Sequence, residues 1–353
     1  MVRALVVDDS AFMRKALSRM LEGDPEIQVA GTARDGIEAL EKIKELDPDI
    51  LTMDVEMPRM DGLEALQRIM TVSPRPVLMV SSLTEEGAEV TLKALDLGAV
   101  DYIPKHLDGN VLDIVHVEKV LQEKVKALAR KRGNGPPLHA PGLRPAPPLP
   151  PRPATERRPR GRLGPVRYVA VGASTGGPPA LQKLFAALPP NFGAPLVVVQ
   201  HMPKSFTGPF AKRLNQVGPL AVKEAETGDR LEPGKGFVAP GGSHLYVRRE
   251  GTHLVLRVSD EPADTLHKPS VDVTFRSLSE TIGSAALAVV LTGMGCDGLE
   301  GVRALKAKGA PAIAQDAQSC VVYGMPRAIV EAGLADAVLS VEEMVPVLEG
   351  AVG

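Results

Sequence analysis

Short apolar runs, each closed by a polar side chain, recur along this chain. "RALVV" ends at Asp8, "DILTMD" at Asp54, "PVLMVS" at Ser81 and "VDYIPK" at Lys105, with "QVAGTA" as a shorter fifth run. Amphipathic stretches such as "SAFMRKALSRMLEG" and "DGIEALEKIKEL" lie between them. Strands alternating with helices predict a parallel sheet covered on both faces. "HVEKVLQEKVKALARKR" predicts a last helix running to about Arg132.

The pattern then breaks. "GNGPPLHAPGLRPAPPLPPRPATERRPRGRLGP" has almost nothing to bury, and its prolines fix φ and remove backbone donors. It is expected to be a semi-rigid, partly polyproline-like tether. From Tyr168 the alternation resumes. Strands are expected in "RYVAV", "PLVVVQ", "LAVKEA", "GFVAP", "HLYVRR", "HLVLRV", "ALAVVLT" and "PAIAQ". Helices are expected around 178–188, 206–216, 271–282, 297–308 and 325–332, with a hairpin-like insertion near 236–258. No internal repeat of fixed period is evident. The expected organisation is an α/β domain over 1–125, a helix end and linker over 126–165, and a second α/β domain over 166–353, with a mainly parallel sheet.

Composition narrows the function. A net charge of -2, 3% aromatics and no Trp argue against nucleic acid as partner. Two distant cysteines, Cys296 and Cys320, make no disulfide framework and fit a reducing cytosol. "MVRALVVDDS" runs straight into two acids, as a buried strand does and a signal peptide does not. No apolar run approaches the roughly 20 residues that span a bilayer. A cytoplasmic protein without membrane insertion is expected.

Ligands of parallel α/β sheets bind beyond the carboxyl ends of the strands. There the first domain offers Asp8, Asp9 and Asp54, which would repel one another unless a hard cation such as Mg²⁺ neutralised them. Ser81 and Lys105 at the same rim suit a phosphoryl group. Together, "VVDDSAFMRK", "LTMDVEMPRMDGLEAL", "VLMVSS" and "GAVDYIPK" resemble the receiver domain of two-component response regulators, a flavodoxin-like doubly wound fold. The resemblance implies Asp54 as phosphoacceptor. It implies Mg²⁺ on Asp9, Asp54 and the main-chain carbonyl of Glu56, with Asp8 reached through water. Ser81 would bond the phosphoryl group, Lys105 would pair with it, and Tyr102 would be the aromatic that switches rotamer. One departure is His106, which stands where that family commonly has proline.

The second domain opens with "AVGASTGG" at a strand-to-helix turn. Read as a dinucleotide fingerprint, this stretch puts Ser174 where a side chain would crowd the pyrophosphate, and His201 where an acid is expected at the next strand end. A phosphate-binding P-loop needs Lys after its last glycine, and Pro178 stands there. A serine nucleophile fits better, with helix N-terminal amides to stabilise an oxyanion. It needs a base and an orienting group. Neighbouring strand ends supply His201 in "VVVQHMP" and Asp297 in "GMGCDGLEG". Residue types alone leave His244, His267, Asp272 and Cys296 as rivals for these parts.

"VGASTGG", "VVVQHMP", "GFVAPGGSHL", "KPSVDVTF", "VVLTGMGCDG" and "VVYGMP" resemble the catalytic domain of the chemotaxis protein-glutamate methylesterase family, CheB. The resemblance implies Ser174 as nucleophile, His201 as base and Asp297 as its orienting acid. It implies an oxyanion hole from the main-chain amides of Met294 and Thr175. The substrate would be a methylated glutamate on the cytoplasmic helices of a chemoreceptor, with methanol released. A receptor glutamine would follow the same path. A chemotaxis histidine kinase would be the phosphodonor, and hydrolysis would need no cofactor. A non-catalytic response regulator and a generic serine esterase remain open beside this reading.

Overall fold

The computed structural model describes residues 1–105, 111–129, 163 and 165–352. His106, Arg132 and all of the proline-rich segment except Leu163 and Pro165 lie outside them. The chain divides into two compact units, Met1–Pro148 and Leu149–Gly353.

In the first unit five strands alternate with five helices: β1 Val2–Val7, α1 Ala11–Glu22, β2 Ile27–Ala33, α2 Gly36–Leu46, β3 Ile50–Asp54, α3 Gly62–Val72, β4 Val77–Ser81, α4 Glu85–Asp96, β5 Asp101–Pro104 and α5 Val111–Ala129. All pairings are parallel, in the order β2-β1-β3-β4-β5. Strands β3 and β4 are buried along their whole length, which is why they read as unbroken apolar runs. Each of the first four helices starts at a side-chain cap: Ser10, Asp35, Asp61 and Thr84 accept from backbone N–H groups of the first turn. The strand order reverses between β1 and β3, and the crevice at that switch point opens at Asp8, Asp9 and Asp54. Helix α5 begins before the expected "HVEKV".

The second unit continues with β6 Tyr168–Ala173, α6 Gly177–Ala187, β7 Leu196–Gln200, α7 Lys204–Val217, β8 Ala221–Glu224, β9 Lys235–Val238, β10 His244–Glu250, β11 His253–Ser259, α8 Val271–Thr281, β12 Ala286–Val290, α9 Leu299–Ala307, β13 Ala312–Gln315, α10 Met325–Glu331, β14 Ala337–Leu339 and α11 Val341–Ala351. Seven strands form one parallel sheet in the order β14-β13-β12-β6-β7-β9-β8. The antiparallel pair β10–β11 stands apart and covers 244–259, not 236–258. "GFV" belongs to β9, inside the main sheet, because it pairs in parallel with both β7 and β8. Strand β14 and helix α11 were not anticipated. The order reverses at β6, whose neighbours are β7 on one side and β12 on the other. The carboxyl ends of these three adjacent strands therefore share one rim.

Candidate hydrolytic site and phosphoacceptor cluster

At the rim of the first unit, Lys105 Nζ lies 2.7 Å from Asp54 Oδ2 and 3.2 Å from Asp8 Oδ2. Carboxylate oxygens of Asp8, Asp9 and Asp54 lie within 4.8 Å of one another. Asp8 and Asp54 are buried and Asp9 is exposed. Arg14 ties the loop down by donating to the main-chain oxygens of Asp8 and Asp9 at 2.7 and 2.9 Å. Burial pushes the Asp54 carboxyl up to about 6; Lys105 opposes this and the Asp8 charge adds to it. Burial works against the Lys105 charge too, but Asp54 and Asp8 hold its pKa above the ordinary lysine value. A cluster of hard oxygen donors with a net negative balance fits a divalent cation.

Ser81 ends β4, and its hydroxyl is engaged with helix α4. It receives a hydrogen bond from Thr91 Oγ1 at 2.6 Å and lies 3.2 Å from Gly87 O, to which it donates. Tyr102 is buried, and burial, with the Asp101 charge second, raises its phenol well above the ordinary value.

In the second unit the chain leaves β6 at Ala173 and turns through Ser174 to helix α6. The turn needs glycine: Gly176 has φ +74°, and a Cβ on Gly177 would come within 2.0 Å of Gln200 Oε1. Ser174 is partly exposed, with its N–H held by Thr292 O at 3.0 Å and its carbonyl by Gln200 Nε2 at 2.9 Å. Strand β7 delivers His201 from the adjacent position. The loop after β12 delivers Asp297, and Gly298, with φ +99°, caps helix α9, which begins at Leu299, two residues later than the sequence pattern suggested. His201 Nε2 and Asp297 Oδ2 meet at 2.7 Å, with both side chains mostly buried. His201 Nδ1 is buried and has no hydrogen-bond partner among the described residues.

Asp297 is held from a second direction. Its carboxylate accepts from the N–H groups of Val271 and Asp272 at 2.7 and 3.0 Å, at the start of α8, and from Ser270 Oγ at 3.0 Å. Burial alone would raise its pKa, but the His201 bond and charge and these amides hold it well below the usual carboxylate range. The main-chain N–H groups of Thr175 and Met294 have no hydrogen-bond partner among the described residues.

The CheB methylesterase family model matches residues 169–348, and the response regulator receiver domain model matches residues 4–115. The protein-glutamate methylesterase/protein-glutamine glutaminase 1 of Oleidesulfovibrio alaskensis is 55% identical over 367 residues, covering 100% of both chains. This chain belongs to the CheB methylesterase family. The similarly named protein of Lawsonia intracellularis is 46% identical over 356 residues, covering 98% of this chain and 97% of that one. The crystal structure of the Thermotoga maritima CheB methylesterase catalytic domain matches with 40% identity and a TM-score of 0.52, over 53% of this chain and 99% of that one.

The rivals for the hydrolytic parts have other engagements in this CheB-family chain. His244 is buried: its Nδ1 accepts from Ser270 N at 3.2 Å, and its Nε2 lies 3.1 Å from Pro262 O. Asp272 receives the Gly301 N–H at 2.7 Å, and burial raises its pKa. Cys296 is exposed and Cys320 buried, both as free thiols. His267 stacks on His201. Three neighbours escaped the sequence reading. Gln200 clamps the Ser174 and His201 carbonyls, Ser270 braces Asp297, and Thr292 Oγ1 bonds Thr175 O at 2.9 Å. All three are buried polar residues, Gln200 and Thr292 at strand ends and Ser270 at a helix N-cap, which was the signal available.

Proposed function

We propose that this chain is a phosphorylation-regulated chemotaxis methylesterase that hydrolyses glutamate methyl esters on chemoreceptors and deamidates receptor glutamines. The observation that carries the reading is the 2.7 Å contact of His201 Nε2 with Asp297, at the switch point where β6 presents Ser174. Because Nε2–H donates to Asp297, Nδ1 holds the lone pair that takes the proton of Ser174. Ser174 Oγ attacks the ester carbonyl, and the N–H groups of Thr175 and Met294 receive the oxyanion. His201 returns its proton to the leaving methoxide, so methanol departs. Water then attacks the acyl-serine with Nδ1 as base again, giving glutamate and free Ser174. A glutamine amide follows the same steps and releases ammonia.

The organisation we propose is a receiver over 1–125, a linker over 126–165 and a catalytic domain over 166–353. Asp54 is the phosphoacceptor, with Lys105, Ser81 and Tyr102 answering its phosphorylation. Asp9, Asp54 and Glu56, with Asp8 nearby, would hold Mg²⁺, which neutralises charge on the incoming phosphoryl group. A chemotaxis histidine kinase is the donor. Among the described residues no helix is long and apolar enough to cross a membrane, which supports meeting receptors at their cytoplasmic helices.

The test is methanol release from methylated chemoreceptor membranes, with and without acetyl phosphate, for the parent and Ser174→Ala. The expected result is release by the parent, stimulated by acetyl phosphate, and none by the variant. Turnover of a simple aryl ester with no action on receptors would make it a generic esterase instead.

A further inference from the structure

His201 has a geometric problem that its bond to Asp297 does not solve. The χ2 torsion of histidine is broad, without the steep wells of a torsion between two tetrahedral carbons. Rotation about χ2 turns the ring on an axis running from Cγ toward the Nε2 side. Such rotation displaces Nε2 less than Nδ1, and it swings the Nδ1 lone pair, which points almost perpendicular to that axis, further than it tilts Nε2–H. The contact at Nε2 can thus persist while the proton-accepting nitrogen loses its aim.

A second imidazole lies against the face of that ring. The His267 and His201 centroids are 4.0 Å apart and their planes meet at 22°. A flat neighbour at this distance resists χ2 rotation, since any turn drives a ring edge into it. The loop carrying His267 is itself braced by hydrogen bonds. Buried His244 receives the Ser270 N–H at 3.2 Å and lies 3.1 Å from Pro262 O and 3.0 Å from Thr265 Oγ1. Gly242 N donates to Lys268 O at 3.1 Å, and Lys268 Nζ donates to Asp260 O at 2.8 Å. The loop is thus tied on both sides of His267.

We infer that His267 is a positioning residue for the hydrolysis: its stacked ring fixes the tilt of His201 and so aims Nδ1 at the Ser174 hydroxyl. This rests on the reading of Ser174, His201 and Asp297 as the hydrolytic set. The role belongs to the ring face and not to a proton on His267, so an aromatic hydrocarbon can fill it.

The test is steady-state methanol release from methylated receptor membranes by the full chain activated with acetyl phosphate. His267→Gln and His267→Ala remove the flat face and are expected to lower kcat about 10- to 100-fold, the scale of a misaimed reacting group, with KM within about twofold. His267→Phe keeps the face and is expected to hold kcat within about threefold of the parent. If His267→Ala does not fold, the Gln and Phe pair decides alone. Unchanged kcat in His267→Gln, an equal loss in Gln and Phe, or a change confined to KM would each overturn the inference. Ser174→Ala in the same assay separates the two levels: full activity there defeats the hydrolytic reading itself. An inactive Ser174→Ala beside a fully active His267→Gln defeats only the positioning role.

Discussion

Ser270 Oγ donates to Asp297 Oδ1 at 3.0 Å while the same hydroxyl is the N-cap of helix α8, accepting from Val273 N at 3.4 Å. The carboxylate that orients His201 is therefore seated on the first turn of a helix, where backbone amides and the helix dipole favour negative charge. Ionised Asp297 does structural and chemical work with the same atoms.

Asp297→Asn should accordingly lower kcat on the order of 10⁴-fold, because an amide no longer selects the Nε2–H form of His201. Ser270→Ala should cost about 1 kcal/mol of stability through the lost cap, with a much smaller loss of kcat. The sign of the pH effect follows from the depressed pKa of Asp297. Its stabilisation is fully present above the ordinary carboxylate value of about 4 and is lost as pH falls below it. Denaturant midpoints of parent and Asp297→Asn should differ at pH 7 and converge in acid; a constant difference would contradict this.

Ser174→Ala should abolish methanol release, and Cys296→Ser should keep most of it. Cys296 is an exposed thiol next to Asp297 in sequence, with no histidine shown bonded to it. Severe loss in the cysteine variant with a mild serine variant would move the nucleophile.

Asp54 carries the opposite pH signature. Its carboxyl is raised to about 6 in the fold, against about 4 in the unfolded chain. Between those values the folded state binds the extra proton, so stability declines as pH rises through the window. The full cost, at most about 3 kcal/mol, is present above 6. Asp54→Asn should stabilise the metal-free receiver transition at pH 7.5, by less than that ceiling because Lys105 loses a partner. The gain should vanish at pH 4, and denaturant unfolding in chelator at the two pH values measures it.

The same substitution should abolish stimulation by acetyl phosphate and leave basal esterase activity. Ser174, His201 and Asp297 all lie in the second unit, so a 166–353 fragment should be active and faster than unphosphorylated full-length chain. A fragment no faster than that would mean the receiver stimulates and does not restrain.

Thr91→Val removes the 2.6 Å bond to the Ser81 hydroxyl, the shorter of its two ties to helix α4, and leaves the one to Gly87 O. A buried hydrogen bond of this kind is worth about 1 kcal/mol. Initial phosphorylation by acetyl phosphate should speed up several-fold, and an unchanged rate would free Ser81 of that restraint.

The strands were legible in the sequence because buried parallel strands write themselves as apolar runs, and the candidate site residues sit where the runs stop. Asp54, Ser81, Lys105, Ser174 and His201 each follow that grammar. Strand order was not legible, since β6 finds β12 across more than a hundred residues and no local pattern records it. Strand β14 is only Ala337–Leu339, and Pro346 inside α11 masks the helix after it. The stack of His267 on His201 joins side chains from loops distant in sequence, so composition could offer His267 only as a competing base.

The position of β6 in the middle of its sheet also sets a timetable for the nascent chain. Ala173 ends β6 and Ala286 begins β12, so about 110 residues must be added before that flank of β6 has a partner. At roughly 5–20 residues per second this lasts on the order of ten seconds. Until then β6 is an open, wholly apolar edge, the kind that recruits other chains. The strand that leads into Ser174 is thus the one the ribosome leaves uncovered longest, and stalling or truncation between those two strands should yield aggregates and not a partly active enzyme.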